Sequence, residues 1–218
     1  MLKSLYPRVT WDQIEAVGFD LDGTLYDELD FILQVYSPIA TLLANVTKQG
    51  QYEVYWRMVN RWLKKGSSYN RIFLEVLSSK DINGEIKKST IEKCLHIYRY
   101  FQPELCLTNR VKILLDNFKN NYPVFLITDG NSLLQRAKFK ALELEKWFDH
   151  SNVAISGDYG FECQKPSVFM ASQIEVLRNV SPSQVIYFGD REKDALFANN
   201  VGFGFIPVKV MQVGVIHE

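Results

Sequence analysis

The stretch AVGFDLDGTLYDE, from Ala16 to Glu28, decides how the rest of the chain is read. Ala16, Val17 and Phe19 suit a short strand covered on both faces. Asp20 and Asp22 follow two residues apart, and side chains at i and i+2 of an extended segment point the same way. Gly23 and Thr24 then turn the chain. Two carboxylates about 4 Å apart at a sheltered strand end repel by roughly 4 kcal/mol at an effective dielectric of 20. Such a pair needs a compensating charge from elsewhere in the chain.

From about residue 108 onward, apolar strands alternate with helical segments. TNRVKILLDNFKN predicts a helix with Thr108 as N-cap, and YPVFLIT a strand. SLLQRAKFKALEL predicts a helix and NVAIS a strand. KPSVFMASQIEVLRN predicts a helix with Pro166 in its first turn, where proline is accepted. QVIYFGD, EKDALFANN and GFGFIPV complete the series as strand, helix and strand. Continuous apolar strands between helices predict an α/β fold with a doubly wound parallel sheet. The strand ending at Asp20 belongs to the same sheet.

Residues 29–105 have a different texture, with helical patterns and no convincing strand. DFILQVYSPIATLLANVTKQG is helical, with a kink or break expected at Ser37-Pro38. YEVYWRMVNRWLKK places Val54, Met58 and Trp62 on one helical face. NRIFLEVLSS and EIKKSTIEKCLHIYRYF complete the block. The expected division is therefore a catalytic core at 1–28 and 106–218, with an α-helical cap inserted at 29–105. Between Tyr52 and Arg71 the insertion is rich in aromatic and basic residues, which suits an anionic or sugar-like substrate as well as a helical core.

Composition narrows the function classes. The 218 residues are 47% hydrophobic, enough for a core and against global disorder. Lys plus Arg and Asp plus Glu both number 25, so no excess charge points to nucleic acid. No uncharged apolar run of about 18 residues predicts a membrane span, and the first ten residues lack a signal-peptide core. Cys94, Cys106 and Cys163 are scattered and do not cluster with His96, His150 or His217. Reduced thiols and a cytoplasmic location are the simplest expectation. A monomer or homodimer is expected.

Ligands of open parallel sheets bind beyond the carboxyl ends of the strands. Four such ends carry polar residues: Asp20-Leu21-Asp22, Thr128-Asp129-Gly130, the loop SGDYGFECQK delivering Lys165, and Gly189-Asp190 with Asp194 beyond it. Each has an ordinary reading by itself: an Asp-Gly turn, a strand-end hydroxyl, a solvated lysine, acids in a first helical turn. Their succession in order at strand ends makes coincidence a poor explanation. A hard divalent cation would offset the repulsion between Asp20 and Asp190, and Mg²⁺ suits an oxygen donor set shared with a phosphate.

DLDGT at 20–24, Thr128 in LITDG, Lys165 in QKP, and Asp190 with Asp194 in GDREKD together resemble the motifs of the haloacid dehalogenase superfamily. The resemblance spans about 5–28 and 106–210, with the helical block where one branch carries its cap. Its second motif departs mildly, reading Thr-Asp-Gly where Asn often precedes the glycine. The resemblance implies a Rossmann-like core and an aspartyl-phosphate mechanism. It implies Asp20 as nucleophile and Asp22 as general acid and base. It assigns Thr128, Asp129 and Lys165 to the phosphoryl group. Mg²⁺ would be held by Asp20, the Asp22 backbone carbonyl and Asp190, with Asp194 orienting a metal-bound water. The implied activity is phosphomonoester hydrolysis on a small phosphorylated metabolite, a phosphosugar or nucleotide. A phosphotransferase or mutase, and a non-catalytic binding protein on the same fold, stay open as alternatives.

Overall fold

In the computed structural model, residues 2–78 and 81–209 are described. Five parallel strands form one sheet: β1 (Ala16–Phe19), β2 (Val124–Thr128), β3 (Val153–Ile155), β4 (Val185–Gly189) and β5 (Gly204–Pro207). Their order is β3-β2-β1-β4-β5. The chain winds outward from β1 in one direction, then returns to its other side, so the order reverses beside the central strand. This is the doubly wound arrangement, whose ligand crevice lies at that reversal. Register sets the level of the strand ends. Phe19 pairs with Leu126 of β2 and with Phe188 of β4. Asp20, Thr128 and Asp190 therefore leave the sheet side by side.

Both faces of the sheet are packed with rings. Phe19 stacks on Phe188 at 5.2 Å, and Phe118 meets both edge-on at 5.2 Å. Phe125, Tyr187, Phe197 and Phe203 belong to a separate buried cluster. Gly18 makes that cluster possible, because a Cβ there would lie 2.2 Å from the Phe125 ring. Every residue of β1, β2 and β4 is buried, which is why these strands read as continuous apolar runs rather than as alternating ones.

The chain divides into two compact units, Met1–Glu28 with Leu105–Glu218, and Leu29–Glu104. Four helices make up the second: α1 (Glu28–Thr47, whose first residue belongs to the first unit), α2 (Gln51–Lys65), α3 (Ile72–Ser78) and α4 (Gly84–Tyr100). Helix α1 runs unbroken through Pro38, against the expected break. A proline inside a helix costs roughly 3 kcal/mol. Ser37 and Pro38 lie on the exposed side. Phe31, Ile32, Val35, Tyr36, Ile39 and Leu43 are buried, each contributing about 1.5–3 kcal/mol, so burial outweighs the proline. Helix α1 is also long and apolar enough to cross a membrane by length and composition alone. Its uncharged stretch, 31–47, includes Gln34, Ser37, Thr41 and Asn45, so the sequence holds no continuous apolar run there. Its rings pack within the helical unit, Phe31 on Tyr98 at 5.3 Å and Tyr36 on Phe73 at 6.1 Å.

Arg61 and Tyr55, two of the basic and aromatic residues of α2, are engaged inside this unit. Arg61 bonds Glu75 through both Nε (2.7 Å) and Nη2 (2.6 Å), and the Tyr69 hydroxyl donates to the same carboxylate. These two partners hold the Glu75 carboxyl down to about 2. Tyr55 donates to the Leu33 carbonyl at 3.0 Å. Tyr52 and Trp56 remain exposed.

The core supplies α5 (Asn109–Asn121), α6 (Ser132–Ala141) and α7 (Glu192–Val201). Thr108 caps α5 by accepting from Val111 N, and Asn131 caps α6 by accepting from Leu134 N. The helix expected from Pro166 is absent. Two short 3₁₀ turns, Phe169–Gln173 and Glu175–Leu177, stand there instead. Ile174 between them is extended and buried, and Asn152 Oδ1 accepts from Val176 N at 3.0 Å. The Asn152 side chain thus takes a backbone donor that a helix would have used.

Candidate active site

The buried strand β1 delivers Asp20 into the sheet's carboxyl edge, where its N–H still donates to Phe188 O at 2.9 Å. Three residues on, the turn is fixed by Gly23 at φ +82°, where a Cβ would stand 2.4 Å from Asp190 Oδ2. Only glycine meets both conditions, the left-handed backbone and the close approach.

Lys165 is the hub of the charged groups. Its Nζ lies 2.5 Å from Asp20 Oδ1 and 2.5 Å from Asp194 Oδ1, with none of its side chain exposed. The Tyr187 hydroxyl is 3.3 Å away and itself donates to the Ile127 carbonyl. Burial pulls such an ammonium down, but Asp20, Tyr187 and Asp194 outweigh it and hold Lys165 well above its ordinary range. The backbone of Lys165 is tied as well: its N–H donates to Asp129 Oδ1 at 3.0 Å. Asp129 Oδ2 pairs with Lys193 at 2.6 Å. The carboxylate that stands where Asn often precedes the glycine therefore meets a lysine from the first turn of α7.

Carboxylate oxygens of Asp20, Asp190 and Asp194 lie within 4.8 Å of one another. One ammonium serves this trio, and the nearest guanidinium, that of Arg191, is 3.7 Å from Asp190 and paired more closely with Glu28 at 2.5 Å. Burial and the Asp194 charge, partly countered by Lys165, push the Asp20 carboxyl up to about 7. Burial likewise raises Asp190, with Arg191 opposing it. Asp190 Oδ1 is buried without a hydrogen-bond partner among the described residues. A crowded set of hard oxygens with an orphan acceptor fits a divalent cation of the Mg²⁺ type. Asp194 Oδ2 also accepts from Arg191 N at 3.1 Å, closing the first turn of α7.

The side chain of Asp22 belongs to a different group. Lys138 Nζ donates to its Oδ1 at 2.6 Å, the Tyr26 hydroxyl donates to the same oxygen, and Gln135 Nε2 donates to Oδ2 at 2.7 Å. Burial pushes the carboxyl up, but Lys138, Tyr26 and Gln135 together hold it below its ordinary value. Thr128 is buried, and its hydroxyl accepts from Gln135 at 2.7 Å. Gln135, Lys138, Tyr187 and Lys193 escaped the sequence reading. For the first two a signal existed: they share a helical face with Leu134 and Phe139, so polar groups stand where α6 buries its side chains.

The strand ends thus bring Asp20, Asp190, Asp194 and Lys165 together, and set Asp22 and Thr128 on a common glutamine. A parallel doubly wound sheet gathers these carboxylates and an ammonium at its switch point, where open α/β sheets bind their ligands. A sequence profile of haloacid dehalogenase-like hydrolases matches residues 14–202, and the chain belongs to that family. It is 38% identical over 195 residues to a glyceraldehyde 3-phosphate phosphatase of Pyrococcus furiosus, covering 87% of this chain and 78% of that one. A protein of the same description from Methanothermobacter thermautotrophicus is 27% identical over 204 residues, covering 89% and 85%. Among solved structures, a HAD-superfamily hydrolase of subfamily IA from Geobacter sulfurreducens superposes with a TM-score of 0.66 at 20% identity, covering 89% and 87%. That likeness concerns the fold.

Proposed function

We propose that the protein is a Mg²⁺-dependent phosphomonoesterase acting on a small phosphorylated metabolite through an aspartyl-phosphate. The observation that carries this reading is the trio of Asp20 and Asp194, both buried, with the half-buried Asp190 beside Lys165, Asp190 Oδ1 being left unpartnered. Asp20, the Asp22 backbone carbonyl and Asp190 would hold the cation, which supplies positive charge between the nucleophile and a phosphoryl dianion. Asp194, paired with Lys165, orients the ligands around it.

The residues divide the reaction between them. An Asp20 oxygen attacks phosphorus; the new O–P bond forms as the P–O bond to the alcohol breaks. The bonding pair stays on the leaving oxygen, which takes a proton from Asp22; the incoming phosphoryl dianion, a like charge beside that carboxyl, raises its affinity for the proton above that in the free protein. Asp22 then accepts a proton from water, whose oxygen displaces the Asp20 carboxylate and releases inorganic phosphate. Lys165 neutralises charge on Asp20 and on the phosphoryl oxygens. Because Gln135 donates to the Thr128 hydroxyl, the hydroxyl's own proton is left to donate to a phosphoryl oxygen. The names of the two archaeal relatives support a short phosphorylated aldehyde or sugar as substrate.

The test is phosphate release from a panel of metabolites including glyceraldehyde 3-phosphate, with Mg²⁺ present and after chelation. Turnover that stops in Asp20→Asn and after chelation is expected. A panel without turnover at any divalent metal overturns the reading, and an isomerised phosphosugar product would replace it with a mutase.

A further inference from the structure

Asp22 is held by more donors than a proton carrier needs, and two of them come from one helix. Lys138 is on α6, 3% exposed, and its Nζ meets Asp22 Oδ1. Gln135 sits one turn earlier on the same helix and meets Oδ2. The two N–H bonds of its amide are shared between Asp22 Oδ2, the Thr128 hydroxyl (2.7 Å) and the Asp129 carbonyl (2.9 Å). Tyr26, from the turn after β1, is the second donor on Oδ1.

A carboxylate offers about four lone-pair directions, two on each oxygen. Lys138 and Tyr26 take those of Oδ1, and Gln135 takes one of Oδ2. Among the described residues no donor fills the second direction on Oδ2. Burying a lysine is costly unless it is paired, so an ammonium at this core position of α6 calls for a role.

We propose that Lys138 and Gln135 are positioning residues for the proton carrier, locking the Asp22 carboxylate so that Oδ2 is the oxygen presented to the leaving group. This rests on the function proposed above. Because Gln135 also holds Thr128, the helix that follows β2 sets the acid and the phosphoryl-holding hydroxyl from a single amide. A displacement near 1 Å at such a group lowers the rate by about 100-fold. The loss must appear where a proton is needed: an alkyl alkoxide requires one on leaving, and a nitrophenolate does not.

The test compares kcat/KM for an alkyl phosphate, glycerol 2-phosphate, with that for p-nitrophenyl phosphate, in wild type and in Lys138→Met. This constant covers the steps up to loss of the alcohol, so hydrolysis of the phosphoenzyme does not enter. A fall of about 100-fold for the alkyl ester and less than about 5-fold for the aryl ester is expected. Equal losses on both esters show a merely structural role and overturn the proposal, as does no loss on either. Should Lys138→Met fail to fold by circular dichroism, Gln135→Leu supports the same comparison, and an unchanged alkyl-to-aryl ratio there overturns it. Wild type inactive on both esters and on the metabolite panel would instead remove the function on which the proposal rests.

Discussion

Replacing Asp20 by asparagine should make the metal-free protein more stable. Asp20 is 5% exposed and stands in a trio of carboxylates served by Lys165. Its carboxyl titrates at about 7 in the fold, against 3.8 for an ordinary aspartate. The folded state therefore holds that proton more tightly than the unfolded chain does. Stability falls as pH rises from about 4 to about 7 and stays low beyond, to a limit of roughly 4 kcal/mol. Asp20→Asn cannot ionise and escapes this loss. The variant gives up one partner of Lys165 but keeps Asp194 at 2.5 Å, and its side-chain carbonyl can still accept from Thr24, as Asp20 does at 3.2 Å. If half the limit is realised, the gain of about 2 kcal/mol raises Tm by about 4–8 °C for a chain of this size. Thermal unfolding in EDTA between pH 5 and 9 measures it. Wild type should lose stability between pH 5 and about 7 and stay low above that while the variant does not, so the gap is fully developed at pH 8. Added Mg²⁺ should close the gap by raising wild type. An Asp20→Asn protein that melts at or below wild type at pH 8 in EDTA would refute the reasoning, because the trio would then carry no uncompensated charge.

Three other outcomes are expected. Lys165→Met leaves Asp20 and Asp194 buried without their cation, which should cost about 3–5 kcal/mol in urea unfolding at pH 8 and abolish phosphate release. Gly23→Ala forces a side chain into a left-handed turn and against Asp190; a loss of about 1–2 kcal/mol and weaker Mg²⁺ binding by titration calorimetry should follow, and unchanged binding would show that the turn does not set the Asp190 position. In the helical unit, the ion pair and the Tyr69 bond hold Glu75 down to about 2. The stability they give is present above pH 4.5 and lost as pH falls towards 2. Carboxyl NMR should show Glu75 titrating near 2, returning towards its ordinary value in Arg61→Leu.

The parallel sheet was legible because strands covered on both faces cannot alternate, and VFLIT and VIYFG are apolar without interruption. The strand-end acids were legible for a related reason: a carboxylate at the end of such a run has no structural purpose there. The turns after Pro166 were not, since Asn152, some twenty residues earlier, captures Val176 N. A side-chain bond of that kind leaves no periodic trace. Pro38 misled in the other direction, because the burial that carries α1 through it depends on partners such as Phe73 and Tyr98, distant in sequence. Lys138 and Gln135 were written as polar residues on a helix, and only packing reveals that they occupy its buried side. Asp129 read as a departure from Asn. Its meaning required Lys193, sixty-four residues later.

The strand that bears Asp20 is emitted first and lies in the middle of the finished sheet. Its neighbours on the two sides, Val124–Thr128 and Val185–Gly189, are more than a hundred and more than a hundred and sixty residues away. During synthesis at about 5–20 residues per second, this segment waits roughly 10–30 s for both flanks. Throughout that interval the nascent chain carries an apolar ribbon with two open hydrogen-bonding sides, tipped by acids whose lysine has yet to be made. The central strand thus stands open well before the segments that flank it, and the lysine that serves its acids, are made.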